Sequence, residues 1–179
     1  MSARSRILPG ITTLALAGAA ITLTACGSSA ARSTSTAKTT DAAGNFNSCS
    51  LVTQADAANA IGEAVTPGTL GHATVEGGLA CVFYGSSAPS PRNPDVAQPD
   101  SVRVVVVKGP DALTWYNDYK SKVNAQPVTG YGDKAYYDGY ASFNILDGDY
   151  YIRIAVSPAG TPPSPSDEGK LATAILAKL

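Results

Sequence analysis

The chain has 179 residues, 44% of them hydrophobic and 15% charged, enough apolar material for one modest globular domain. Its formal net charge is -1, and setting aside Arg4 and Arg6 leaves eleven scattered cations against fourteen acidic residues. No basic cluster is present to neutralise phosphates, which argues against a nucleic-acid partner.

Residues 1–25 read as a secretory signal. Arg4 and Arg6 open it, Ile7 to Leu23 form an apolar run, and Thr24-Ala25 close it with small side chains. The run is interrupted by Pro9, Gly10 and Gly18 and falls short of the roughly 20 residues a spanning helix needs. Leu23-Thr24-Ala25-Cys26, with Gly27 after it, resembles the lipobox of bacterial lipoproteins. That resemblance implies a thioether-linked diacylglycerol on Cys26, cleavage just before it, and a lipidated cysteine as the mature N-terminus. Two acyl chains hold a protein at a membrane where one would dissociate. The expected location is the extracytoplasmic face of the cell membrane, with the membrane itself a partner through Cys26. The alternative is an ordinary cleaved signal followed by an unmodified cysteine.

Residues 26–46 are rich in Ser, Thr and Ala without hydrophobic period, so they read as a flexible tether. Its hydroxyls at Ser33–Ser35 and Thr39–Thr40 are candidate carriers of O-linked sugar.

Residues 47–179 form the predicted folded domain. Thr53-Gln54-Ala55-Asp56 has the form of a capping box and Gly62 that of a left-handed stop. They predict a helix over 54–61 with Ala57, Ala58 and Ile61 inward. Strands follow at 70–75 and 79–84, separated by Glu76-Gly77-Gly78. The chain has three cysteines. With Cys26 assigned to lipid by the resemblance above, Cys49 and Cys81 are left for each other in an oxidising compartment. Two free buried thiols are the alternative.

Residues 85–100 hold Pro89, Pro91, Pro94 and Pro99 and predict an exposed loop. Val102 to Val107 is a valine run broken only by Arg103, the pattern of a central strand with both faces covered. Gly109-Pro110-Asp111 opens a second helix whose Ala112, Trp115, Tyr116, Tyr119 and Val123 recur at helical spacing. A strand is expected within 126–137. Residues 140–146 and 149–156 flank Asp147-Gly148, a two-residue hairpin signal. Pairing Leu146 with Asp149 puts Phe143 and Ile145 on one face with Ile152 and Ile154, and Ser142, Asn144, Tyr151 and Arg153 on the other. Ser164-Pro165 with Asp167 starts a final helix, with Leu171, Ala174, Ile175 and Leu179 inward.

This order predicts an α+β fold, an antiparallel sheet with helices mainly on one face and a C-terminal helix, and it hints at two helix-plus-three-strand units. Cys49-Ser50-Leu51-Val52-Thr53, the helix ending at Gly62, and Cys81-Val82-Phe83-Tyr84 resemble a group of actinobacterial cell-envelope lipoproteins of unknown function. In that group a Cys-Ser-Leu-Leu-Thr opening precedes a helix, and a later strand carries the partner cysteine. Gly130-Tyr131-Gly132-Asp133-Lys134-Ala135-Tyr136-Tyr137 is similar to a Gly-x-Gly-Asp-x-Ala-aromatic element of such proteins. The resemblance spans most of residues 47–157 and brings no catalytic residue with it.

Little in the chain announces catalysis. His72 is the single histidine, and no Gly-x-Ser-x-Gly elbow occurs. Asp147 and Asp149 flank Gly148 as in calcium loops, but the twelve-residue ligand pattern is missing and a turn is the better reading. Neither metal nor cofactor is expected. Tyrosines crowd the second half, and Tyr131, Tyr136, Tyr137, Tyr140 and Tyr151 form a candidate binding surface, with cross-strand tyrosine pairing as the alternative. The expected function is a non-enzymatic binding module of the cell envelope, contacting a protein, a wall component or a small apolar ligand. The alternatives are a secreted hydrolase using His72 and an inhibitor of a secreted enzyme.

Overall fold

The structure is a computed structural model that describes residues 46–179. The predicted signal, Cys26 and the tether up to residue 45 lie outside the described residues. Phe46, assigned to the tether by composition, packs edge-on against Tyr150 with ring centres 5.9 Å apart.

The first helix, α1 (Gln54–Ile61), forms where its caps dictate. The Thr53 hydroxyl accepts from the Asp56 N–H at 3.1 Å, and the Asp56 carboxylate accepts from the Thr53 N–H at 3.0 Å. Gly62, at φ +84°, ends it. Ala57, Ala60 and Ile61 are buried, so Ala60 takes the place predicted for Ala58, which sits at the flank.

Seven strands follow: β1 (Thr69–Ala73), β2 (Gly78–Tyr84), β3 (Ser101–Lys108), β4 (Gln126–Val128), β5 (Lys134–Tyr137), β6 (Phe143–Asp147) and β7 (Tyr150–Ser157). They make one antiparallel sheet in the order β1-β2-β3-β7-β6-β5-β4. Helices α2 (Ala112–Lys120) and α3 (Pro165–Leu176) complete an α+β fold with a C-terminal helix. The valine run is the central strand β3, buried on both faces and paired with β2 and β7.

The two faces differ. Val104, Val106, Ile152 and Ile154 belong to the face covered by α1 and α3. Val107, Leu146 and Tyr151 belong to the other, beneath Ala112 and Tyr116 of α2. On the same side Ala80, Val82 and Val105 gather against Ala88 of the 85–100 loop. That proline-rich loop is thus a cover for the sheet rather than a free excursion. Its apolar residues are too few to signal this, and several of its contacts with the sheet are polar, among them the Pro94 and Asp95 carbonyls.

The second half differs from the first in two ways. The segment 126–137 is two short strands, because Gly130 (φ +90°) and Gly132 (φ +53°) turn the chain between them. Pro127 sits in the outermost strand, where a missing N–H interrupts no ladder. In addition, α2 lies on the opposite face from α1. A two-fold axis relating repeats across an antiparallel strand pair stands perpendicular to the sheet and would keep both helices on one face.

The β6–β7 hairpin pairs Asp147 with Tyr150 and Ile145 with Ile152, leaving Gly148-Asp149 as its turn. The register is two residues from the predicted one, because Gly148, at φ +54°, occupies the first turn position and not the second. A shift of two leaves every side chain on its expected face. In α3, Ser164 accepts from the Ser166 N–H at 3.3 Å, while Asp167 pairs with Lys170 and makes no capping box. The helix ends at Leu176, so Leu179 is exposed and Ala172 fills the inward stripe instead.

Cys49 and Cys81 form a disulfide with Cα atoms 5.0 Å apart, tying the 3-10 turn Ser48–Ser50 to β2. Next to it the buried Ser48 hydroxyl donates to the Leu79 carbonyl and accepts from the Val106 N–H, wedging the turn between β2 and β3. The bond closes a sequence separation of 32 residues. In the chain-entropy model its loss costs about 3–4 kcal/mol. Replacing Cys49 and Cys81 together by Ser is therefore expected to lower unfolding stability by about that amount in a urea titration, with no loss of far-ultraviolet dichroism in native buffer.

Candidate functional site

The hairpin face predicted to be polar is polar, but it is not open to water. Ser142, Asn144 and Tyr151 are buried, and the Arg153 side chain is 15% exposed. Beside them Arg103, in the middle of β3, is 2% exposed. The two guanidiniums sit across the β3–β7 seam, and Glu76, from the β1–β2 turn, reaches both.

Arg103 grips Glu76 with two parallel bonds, Nη1 to Oε1 at 2.9 Å and Nη2 to Oε2 at 3.1 Å. Its Nε donates to the Pro94 carbonyl at 2.8 Å and its Nη2 also to the Asp95 carbonyl at 3.1 Å, which fastens the 85–100 loop to the sheet. Arg153 donates to Glu76 Oε1 through Nη1 and to the Ser142 hydroxyl through Nε at 2.9 Å. Its Nη2 lies 3.6 Å from Asp138 Oδ2, and its guanidinium stacks 4.1 Å from the centre of the Tyr119 ring.

Asp138 closes the cluster. Its Oδ1 accepts from the N–H groups of Tyr140, Ala141 and Ser142, and its Oδ2 from the hydroxyls of Ser142 and Tyr119. Burial pulls both acids toward higher pKa, but partners outweigh it. Arg103 and Arg153 hold the Glu76 carboxyl below its usual value, and Ser142 with the backbone N–H groups does the same for Asp138. Burial pushes the Tyr119 hydroxyl up to about 12.

Two cations thus meet two anions, with nearly every donor committed. Such a cluster supports geometry more than chemistry, since it holds no free base beside a nucleophile. Removing one partner from a buried ion pair leaves the other uncompensated, at roughly 3–5 kcal/mol.

The candidate tyrosine surface does not assemble. Tyr136 and Tyr151 are fully buried, each edge-on to Tyr116 at 5.1 and 5.9 Å between ring centres. Tyr131 packs on Phe143 across the other face, and Tyr137 is half-buried with its hydroxyl donating to the Tyr140 carbonyl. Only Tyr140 of the five stands in solvent, 75% exposed. The reason is the strand period: neighbouring residues point to opposite faces, so 136 and 137 separate. Both faces are covered here.

His72 is exposed on β1 and faces Leu79 across the pair. The carboxylate within electrostatic reach of it, Asp95, is held by the Thr74 N–H at 2.6 Å and hydroxyl at 2.9 Å. Asp147 and Asp149 flank the turn, where the Gly148 N–H donates to Asp133, and among the described residues no three metal-ligating side chains converge. A groove between α1 and α3, lined by Asp56, Asn59, Ala60, Lys170, Leu171 and Ala174, measures about 170 Å³. Small-molecule sites usually offer roughly 300 Å³ or more.

The sheet edges are unequal. The β4 edge is three residues long and carries Pro127. The β1 edge, Thr69–Ala73, carries no Asp, Glu, Lys or Arg and no proline, pairs inward with β2, and leaves Leu70 43% exposed. No protein family, curated protein or solved structure matches the chain.

Sequence reasoning passes over Glu76, Asp138 and Glu168. Arg103 is the available signal for the first two: a cation inside a doubly covered strand requires a buried anion. Glu168 stands three and seven residues before Leu171 and Ile175, on the inward stripe of α3. It is fully buried; the Val156 N–H donates to Oε1 at 3.4 Å, and Oε2 has no partner. Burial, reinforced by nearby Asp138, pushes its carboxyl up to about 8 from 4.5. The unfolded chain then releases this proton first, so stability falls as pH rises from about 4.5 to 8 and levels above that. Glu168→Gln is expected to match the wild type near pH 5 and to exceed it at pH 8 by on the order of a few kcal/mol, flattening the profile of urea midpoint against pH.

Proposed function

We propose that the protein is a lipid-anchored lipoprotein on the extracytoplasmic face of the cell membrane. It serves as a non-enzymatic module that docks an extended segment of a partner protein along the open edge of β1. The observation that carries this reading is the Cys49–Cys81 disulfide. Such bonds persist in oxidising compartments, and this one leaves Cys26 as the single cysteine outside the pair. The lipobox resemblance around Cys26 then supplies the anchor.

The docking mode is supported by what is left uncovered. Both faces of the sheet are packed and, of the five candidate tyrosines, only Tyr140 is exposed, whereas β1 offers outward backbone groups with a projecting Leu70. An edge of this kind takes an added strand through main-chain hydrogen bonds, with side chains setting specificity.

In the native envelope the wild-type protein is expected in the detergent phase of a cloud-point extraction, and Cys26→Ala in the aqueous phase. A mature N-terminus upstream of Cys26 without diacylglycerol would overturn the anchor. A photo-crosslinking residue at position 70 is expected to give a discrete adduct that the same residue at Asn117, on the exposed side of α2, does not. Equal labelling from both positions would remove the docking edge.

A further inference from the structure

A second pair of acids, separate from Glu76 and Asp138, meets at the neck of the 85–100 loop. Glu63 follows α1, and Asp100 immediately precedes β3. The Gly85 N–H donates to the Asp100 carbonyl at 2.8 Å, and the Ser87 N–H donates to Asp100 Oδ2 at 2.5 Å. Asp100 is 1% exposed, yet its Oδ1 is buried without a hydrogen-bond partner. Glu63 Oε1 is in the same condition.

The two orphan oxygens point at one place. A Cβ on Gly85 would lie 2.2 Å from Glu63 Oε1 and 2.3 Å from Asp100 Oδ1. Gly85 does not adopt a left-handed φ, so the glycine is there for room and not for a turn. The absent side chain leaves a cradle into which two carboxylates converge.

Like-charged oxygens held this close repel unless a proton or a cation lies between them. The Asp100 side chain beside it and burial push the Glu63 carboxyl up, against the smaller opposing pull of the Ser86 N–H and hydroxyl, and a cation seated between the two oxygens relieves that penalty. The donors are oxygens alone, the set a hard divalent cation selects. We propose that Glu63 and Asp100 bind one divalent cation of the calcium class at Gly85, with water completing the shell.

The site has a mechanical role in the fold. A cation there clamps both ends of the loop whose Pro94 and Asp95 carbonyls hold Arg103. It thereby couples cation supply outside the cell to the cover over the buried charges. Two protein carboxylates place the affinity in the weak range of extracellular modules, with Kd on the order of 0.1–1 mM.

The test is calorimetric titration of the chelator-stripped full chain with CaCl2 alone at neutral pH, together with thermal melting in millimolar CaCl2. Binding in that range and a raised midpoint are expected. Asp100→Asn keeps a residue type that tolerates the observed φ of +55°, and Glu63→Gln is its partner variant. Both are expected to fold and to lose affinity by roughly tenfold or more. Undiminished binding in both variants would overturn the proposal. So would a wild type that takes up neither Ca2+ nor Mg2+ but gains midpoint on mild acidification in chelator, with that gain lost in Asp100→Asn, since the pair would then share a proton.

Discussion

The buried contact of Glu76 with Arg103 and Arg153 is the constraint on which one whole side of this protein depends. The sheet is wide, and α2 spans only part of the face it covers. The remainder is closed by a loop with few apolar residues, which hydrophobic burial alone would not hold down. Arg103 substitutes for that missing adhesion. One guanidinium, fixed by Glu76, offers its other donors to the carbonyls of Pro94 and Asp95. The planar fork of arginine suits this use, since a lysine ammonium would not present paired donors to a carboxylate and side donors to a loop at once.

The same contact explains why two arginines are tolerated inside. A single buried guanidinium would need several kcal/mol of compensation. Here Glu76 answers Arg103 and Arg153 together, Asp138 answers Arg153 from the other side, and the Tyr119 ring lies over the guanidinium. Asp138 in turn is held by its own loop, which turns three N–H groups toward it. The cluster thus joins the β1–β2 turn, β3, β7, the β5–β6 connection, α2 and the long loop. Distant parts of the chain must all be in place before any one charge is satisfied, a condition that favours a single folded arrangement over near alternatives.

What the sequence discloses follows from the range of the physics involved. Capping boxes, glycine stops and valine runs are local, so α1, β3 and the faces of the β6–β7 hairpin are legible in the residues themselves. Cys49 and Cys81 are legible as a pair because the lipobox resemblance assigns the third cysteine, Cys26, elsewhere. The hairpin register is harder, because Asp147-Gly148 and Gly148-Asp149 are both reasonable turns and only the φ of Gly148 decides between them. The tyrosine-rich segment misleads for a different reason. Composition counts aromatic residues without regard to the strand period that sends Tyr136 and Tyr137 to opposite sides. The charge cluster depends on contacts such as Glu76 with Arg153, far apart in sequence, and only their shared burial reveals that they are one unit.

Covering both faces of a sheet has a consequence for where function can lie. A half-open sheet can bind across its exposed side, but here that surface is taken up by α2 and the loop, and of the five tyrosines expected to form a contact patch only Tyr140 is exposed. What stays available is peripheral: the β1 edge and the neck where Glu63 and Asp100 converge. These two places are linked through the chain. The strand β2 pairs with the β1 edge along its length and delivers Gly85 to the neck at its end. Pro94 of the loop rests against Gly71 of β1, where an added Cβ would come within 2.5 Å of it. The neck and the β1 edge are therefore joined through one loop, which touches β1 at Gly71 and, just past the strand, the chain at Thr74.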